Sequence, residues 1–442
     1  MNRRNFLKVG MAGGSFMILP SGARAGSNAP SNKLNVALIG VVGRANGHYH
    51  FLSKENVVAL CDVDENHLAS AAKRFPKAKL YFDWRKCLEQ KDLDAIVCCT
   101  TDHTHAFIAV WAMNRGLHVY CEKPLANSVE EARLVRKVYL ENRTKIATQV
   151  GTQRHAYENF NRVREMIRDG AIGELKSVYA WGNRKLHRKG YPKAAGEPPK
   201  NLHYDLWIGP SPFHPYNPEY FSARTLGLNC LQWNMYWDFG TGQVGDMGSH
   251  TMDLAWNAID AQKPTSAVGT GEEFNPEVSP VDLKMTFKHP ANDWRPEIDV
   301  SWYQGAMLPK SPRPDVSLNR IGHGVMFKGS HGYLIAGFRS RMLIPYGRNA
   351  DMTYYHPRLR EKLLPPMGAF QDEWVKACKG DLKTSCNFDY GGNMIEQMML
   401  GLVAYRVGKP LDYDGKAGRV LNSSEANALL KNKYRQGWPL NG

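Results

Sequence analysis

The sequence predicts an α/β chain, with a helix-covered parallel sheet near its start and a second α+β domain on a large open, mostly antiparallel sheet. Three observations carry that expectation. Short β-branched runs alternate with helical stretches from Lys33 to Val150, the pattern of a parallel sheet buried on both faces. After Gln153 the alternation gives way to successive strand-like runs with few helical crossovers. The 442 residues also exceed the ~250–300 at which single cores stop growing.

The first 25 residues precede that fold. Arg3 and Arg4 are adjacent, Phe6 and Leu7 follow, Lys8 precedes a modestly apolar run from Val9 to Leu19, and Ala23-Arg24-Ala25 supplies small residues for cleavage. This layout predicts a twin-arginine secretory signal over residues 1–25 and a periplasmic or otherwise exported protein. Gly10, Gly13 and Gly14 interrupt a run already too short to span a bilayer, so no stable membrane insertion is expected.

The first domain is expected over 33–152. Strands are read at 34–40 ("LNVALIG"), 57–62 ("VVALCD"), 93–100 ("LDAIVCCT"), 117–121 ("LHVYC") and 145–150 ("KIATQV"), with helices over 64–74, 104–115 and 128–142. The second domain is expected over 153–442, with strand-like runs at 173–183, 265–271, 282–288, 297–304, 322–328 and 331–336.

Composition narrows the function classes. The chain carries 57 Lys and Arg against 42 Asp and Glu, a net charge of +15, which raises the question of nucleic acid. The basic residues are scattered, at Lys73-Arg74, Arg184 to Lys189 and Arg339 to Arg341. No long run forms, so no nucleic-acid partner is expected; the surface suits anionic ligands instead. Eight cysteines form neither a CxxC nor a zinc-type spacing, and Cys98 and Cys99 sit in an apolar strand. A disulfide framework and a metal site are therefore not expected.

The turn after the first strand reads Gly40-Val41-Val42-Gly43-Arg44-Ala45. A dinucleotide-binding turn wants glycine for the bend, glycine where backbone meets pyrophosphate, and a small residue where helix meets strand. Gly40 and Ala45 meet the outer places, while Val42 stands at the middle one with Gly43 beside it. Asp62 ends the second strand 22 residues after Gly40. A carboxylate there accepts the ribose hydroxyls of NAD and repels the extra phosphate of NADP. A helix cap is the other reading of Asp62, because Asp64 and Glu65 open the next helix.

The stretch 100–132, "TTDHTHAFIAVWAMNRGLHVYCEKPLANSVEEA", places Glu122-Lys123-Pro124 at the end of a parallel strand, where ligands bind. With "QVGTQRH" (149–155), "DLWIGPSP" (205–212) and the closing "AYRVGKPLDYD" and "EANALLKNKYRQGWPL", the chain resembles the glucose–fructose oxidoreductase, inositol dehydrogenase and MocA family, Gfo/Idh/MocA. The resemblance runs from Lys33 to Trp438 and is to the exported bacterial branch. It implies a Rossmann domain in which Lys123 is the active-site lysine beside the nicotinamide and the reacting hydroxyl. Glu122 is implied near the nicotinamide ribose, and Pro124 after a cis bond. Thr100, Thr101, Asp102 and His105 resemble the loop lining ribose and nicotinamide, and Gln153 lies at the crossover beside the cofactor. His103 reads equally as a surface histidine.

Within "GQVGDMGSHTMDLAWNAI" (242–259), Asp246 and His250 are four apart at a helix start and share one face. Alone, the pair reads as a cap and a core histidine. It also matches the family's Asp-x-x-x-His motif, which implies catalysis. Histidine exchanges protons near neutrality, so His250 would take the hydroxyl proton. Lys123 would stabilise the developing alkoxide, and Asp246 would orient the hydroxyl or the imidazole. Ten of the 37 residues from His203 to Phe239 are aromatic, and beside polar Gln232, Asn234 and Asp238 they suit a sugar. Trp233 and Asn234 are read as substrate contacts.

Three functions remain open on the sequence. The leading one is an exported oxidoreductase interconverting a hydroxyl and a ketone on a sugar or glycoside, with NAD held tightly and NADP second. Soluble cofactor is not maintained outside the cytoplasm, so its hydride would return within each cycle. The second is a redox-assisted glycosidase needing a further base, for which Tyr204, Tyr236 and His214 are candidates. The third is a non-catalytic sugar-binding relic, for which Val42 argues. The resemblance also implies a homodimer or homotetramer through the second sheet.

Overall fold

The computed structural model describes residues 32–221, 230–347 and 349–442. The expected signal over 1–25 lies outside them. Leu34–Gly442 packs as one compact unit containing two sheets.

The first sheet is wholly parallel. Its strands are β1 (Asn35–Ile39), β2 (Asn56–Cys61), β3 (Lys79–Tyr81), β4 (Ala95–Cys98), β5 (His118–Cys121) and β6 (Thr148–Val150). They lie in the order β3-β2-β1-β4-β5-β6. Residues 36–39 of β1 and all of β4 are buried, as continuous apolar runs covered on both faces should be. The order reverses between β1 and β4, which opens a crevice at their carboxyl ends. β3 was not expected: its three residues "KLY" are largely exposed and carry no apolar periodicity.

Helices of eight or more residues are labelled α1 (Glu65–Ala72), α2 (Asp102–Asn114), α3 (Val129–Asn142), α4 (Glu158–Arg168), α5 (Ser249–Ile259), α6 (Phe370–Cys378) and α7 (Phe388–Val407). α3 starts on a reciprocal cap. Ser128 Oγ accepts the Glu131 N–H at 3.1 Å, and the Glu131 carboxylate accepts the Asn127 N–H at 2.7 Å. Removing one such partner costs about 1 kcal/mol, so Ser128→Ala should lose about that much in urea unfolding with no change in m-value.

The second sheet has the order β13-β12-β11-β7-β10-β9-β8-β14-β15. Its strands are β7 (Leu175–Gly182), β8 (Ser266–Gly271), β9 (Leu283–His289), β10 (Ile298–Gln304), β11 (His323–Gly329), β12 (Gly332–Ala336), β13 (Arg341–Pro345), β14 (Leu411–Asp414) and β15 (Arg419–Val420). β7 and β10 pair parallel; the other pairings are antiparallel. Phe327, Val178, Val300, Phe287 and Ala267 stand side by side across five strands, and all are buried. α5 and α7 cover that face. β13, β14 and β15 escaped the sequence reading because they are short, and β13 and β15 lie at the sheet's two edges.

A late segment returns to the first sheet. Phe370, Trp374 and Cys386 share a buried core with Val36, Leu38 and Tyr120. The bonds Gln149 Nε2 to Phe370 O and Val150 N to Cys386 O, both 2.9 Å, fix it there. Among the described residues no helix is long and apolar enough to cross a membrane, and none of the eight cysteines is in a disulfide.

Candidate active site

The crevice between β1 and β4 begins at a forced turn. Gly40 has φ +78°, and a Cβ there would lie 2.6 Å from the Cys99 carbonyl group, so only glycine lets β1 leave the sheet so close to β4. Val42 is extended, and the next left-handed position falls on Gly43 at φ +66°. The Val42 side chain packs against the core of the first domain. Asp62 stands beside this turn, accepting the Val41 N–H at 2.9 Å and the Asp64 N–H at 3.0 Å. Asp64, not Asp62, caps α1, so Asp62 is not the cap that the sequence also allowed.

Arg44 and His48 both reach Glu122, at 2.9 and 2.7 Å from its Oε1. Burial alone would raise the Glu122 pKa, but the Arg44 charge and the His48 hydrogen bond outweigh it and hold the carboxyl at about 2. Its Oε2 is buried without a partner, as is Gln153 Oε1. Thr101 opens α2, whose first residues are buried, and Thr100 Oγ1 lies 2.6 Å from Thr104 Oγ1. His105 places its ring nitrogens 2.7 Å from Pro124 O and 3.1 Å from Thr100 O. Two carbonyl acceptors call for two N–H donors, in keeping with a pKa raised by Cys98 and Asp102 against the opposing burial. Burial pushes Asp102 up to about 7. His103 is buried, not at the surface, with Nε2 2.9 Å from Trp207 O.

The Lys123–Pro124 peptide is cis, as the resemblance implied. Lys123 Nζ donates to Asp246 Oδ1 at 2.5 Å, and Arg184 donates to Asp246 Oδ2 at 2.5 Å. Asp246 lies in a π-helical turn (Val244–Gly248) that runs into α5; such turns recur at functional sites. A Cβ at Gly245 would fall 2.3 Å from Thr241 Oγ1 and 3.0 Å from Pro124 Cγ. The missing side chain is what lets this turn press against Pro124 and set Asp246 on Lys123. Burial disfavours both charges, yet each stabilises the other: Asp246, with Arg184 added, is held at about 2, and Lys123 stays above its ordinary value. His250 is buried with Nδ1 unpartnered. Burial, then the Lys123 and Arg154 charges, hold it well below the usual imidazole pKa, so it is neutral at physiological pH.

Trp233 is buried in an aromatic cluster with Tyr204, Trp207, Tyr220, Tyr236 and Phe239, and Asn234 is buried with its Oδ1 unpartnered. Tyr204 donates its hydroxyl to His214 O at 3.0 Å, and His214 Nε2 lies 2.7 Å from Asp238 Oδ2. The fold also gathers Cys98, His105 and Cys121, and separately His155, Asp253 and Cys386. No sequence spacing showed either group. Sequence reasoning likewise missed His48 and Arg184; Arg184 was visible only as part of a basic stretch.

These ion pairs set acid stability. Glu122 drops from 4.5 to about 2 and Asp246 from 3.8 to about 2 on folding. Groups with depressed folded pKa values stabilise above their unfolded pKa and lose that contribution as pH falls towards the folded value. Each should supply roughly 2–3 kcal/mol at neutral pH, lost between about pH 4.5 and about pH 2. Denaturant midpoints should fall steeply across that window, and Glu122→Gln should flatten the slope.

Comparison with known proteins agrees with this architecture. Residues 34–152 match the model of an oxidoreductase family with an NAD-binding Rossmann fold, and 171–269 match the family's C-terminal alpha/beta domain. Inositol 2-dehydrogenase of Salmonella typhimurium is 27% identical over 152 residues, 33% of this chain and 44% of that protein. Myo-inositol 2-dehydrogenase of Thermotoga maritima is 28% identical over 116 residues, 26% and 34% of the two chains. The chain thus spans less than half the length of these curated relatives. Among solved structures, the WlbA dehydrogenase of Bordetella pertussis, in complex with NADH and UDP-GlcNAcA, superposes with TM-score 0.60 at 15% identity, over 86% of this chain and 99% of that one. An inositol dehydrogenase homologue of Azotobacter vinelandii, with NADH and myo-inositol, gives 0.56 at 18%, over 86% and 98%. At such identities the likeness is one of fold. With its NAD-binding Rossmann domain and following α/β domain, the chain belongs to the Gfo/Idh/MocA oxidoreductase family.

Proposed function

We propose that the protein is an NAD-dependent oxidoreductase that interconverts a hydroxyl and a ketone on a sugar or glycoside. The observation that carries this reading is the Lys123–Asp246 ion pair beside a neutral, buried His250, at the carboxyl end of a dinucleotide-type sheet. The residues present fit the cofactor. Gly40 leaves backbone room, Asp62 offers a carboxylate at the ribose position, and the buried oxygens Glu122 Oε2 and Gln153 Oε1 lack partners. Gly40, Val42, Gly43, Arg44, Asp62, Thr100, Thr101, Asp102, His105, Glu122 and Gln153 would hold it, and the Asp62 charge favours NAD over NADP.

When bound, NAD supplies the hydride acceptor. His250 takes the hydroxyl proton on an imidazole nitrogen, because it is uncharged at neutral pH. Lys123 keeps its Nζ proton and places positive charge against the developing alkoxide. Asp246 holds Lys123 and Arg184 in position rather than bonding the imidazole.

Residues 1–25 support export by the twin-arginine route, and with it a cofactor loaded before export and a hydride returned within each cycle. Assembly through the open second sheet accompanies this reading. Of the bases the glycosidase would need, Tyr204 spends its hydroxyl proton on His214 O, Tyr236 is buried, and His214 pairs with Asp238, and none of the three contacts the Lys123–Asp246 pair. The relic loses its argument, because Val42 packs on the core. The test is the reduced-nicotinamide absorbance of the full-length protein with NAD while sugars, polyols and glycosides are added. Lasting or cyclic reduction is expected. No reduction by any of them, with aglycone release or without it, overturns the dehydrogenase.

A further inference from the structure

Asp246 has two carboxylate oxygens, and Lys123 and Arg184 take both. Among the described residues, the cations beyond them, Arg154 and Arg320, line the same cavity with no acid in its lining. Arg154 lies over the Phe338 ring at 4.1 Å, half-buried. Burial and the charges of Arg184 and Arg339 depress its pKa. Arg320 is exposed on the same rim. His323 Nε2 is buried without a partner, and burial with Arg184 and Arg154 holds that ring neutral, at about 4.

Together Arg154, Arg184, Arg320, His323, Met247 and Phe338 line a cavity of about 430 Å³, none of whose lining residues is acidic. The cavity adjoins the reacting centre. Met247 follows Asp246 directly, and Phe338 packs on the His250 ring at 6.5 Å. A neutral sugar would leave three guanidinium groups facing one already shared carboxylate. Buried and half-buried cations are normally paired, and the guanidinium fork matches carboxylate, sulfate and phosphate geometry.

We propose that this cavity is a subsite for an anionic substituent of the substrate, so that the sugar oxidised is an acidic one, bearing a carboxylate, sulfate or phosphate. This rests on the proposed dehydrogenase reading and deepens it. Arg154 and Arg320 set specificity, and Arg184 couples the bound anion to Asp246 and thereby to Lys123.

The test uses full-length protein with its dinucleotide, titrated by calorimetry with glucose, glucuronate, glucose 6-sulfate and glucose 6-phosphate at low and high salt. At least one anionic sugar should bind about tenfold or more tightly than glucose, and the advantage should shrink as salt rises. The arm that binds best distinguishes carboxylate from sulfate from phosphate. Arg154→Met should remove the advantage. Arg320→Ala, an exposed change that does not threaten folding, should reduce it. Equal binding of glucose, no binding of any anionic sugar, or an advantage surviving in both variants overturns the subsite. Nicotinamide reduction followed in the same samples separates the two claims: reduction without anion preference overturns this inference alone, and anion preference without reduction overturns the dehydrogenase alone.

Discussion

Lys123→Met is expected to lower kcat by about 10²–10³-fold, the usual cost of losing one transition-state charge stabiliser, while the protein still folds and retains its dinucleotide. The ammonium is held 2.5 Å from Asp246 Oδ1, and that placement is worth most when an alkoxide forms. The substitution also leaves Asp246 with Arg184 as its remaining partner, which keeps the carboxylate paired and protects the fold. Steady-state rates and the mass of released nucleotide check both halves. A variant with a normal rate would remove Lys123 from the chemistry; one lacking nucleotide would show that Lys123 also holds the cofactor.

His250→Ala is expected to cost about 10²–10⁴ in kcat, the range for removing a general base. The pH profile discriminates further. With His250 held well below the ordinary imidazole value, the wild-type rate should stay flat as pH falls through 6.5, because the base is already unprotonated there. On the alkaline side, the raised Lys123 pKa keeps the ammonium charged beyond the ordinary lysine range. Asp102, held at about 7, also titrates near there, so an acid limb centred near 6.5 that persists in Asp102→Asn would show that an ordinary, solvated histidine is the base.

The features legible in the sequence are those written locally. The alternating runs of the first 150 residues gave the parallel sheet, and 22 residues between Gly40 and Asp62 placed both at neighbouring strand ends. Lys123, Asp246 and His250 stood in short motifs, and the fold brings them together although Lys123 and Asp246 lie 123 positions apart. What was not legible depends on distant segments meeting. Arg184 looked like one more surface cation until β7 delivered it to Asp246. His48 reaches Glu122 only because the turn after β1 brings its ring against Tyr120 of β5, 4.9 Å between centroids. The segment around Trp374 completes the first domain's core, and no local pattern tells a helix that docks on a distant sheet from one that stays with its neighbours. The π-helical turn at Asp246 follows from the close approach of Gly245 to Pro124, a contact no spacing rule encodes.

As the proposed dehydrogenase, the chain should carry its NAD through purification. Full-length protein purified without added nucleotide can be denatured and any released dinucleotide identified by mass. About one NAD per chain is expected, lost on Asp62→Ala. Protein that releases no dinucleotide, even if it takes up added NAD, or that releases NADP, would overturn that expectation.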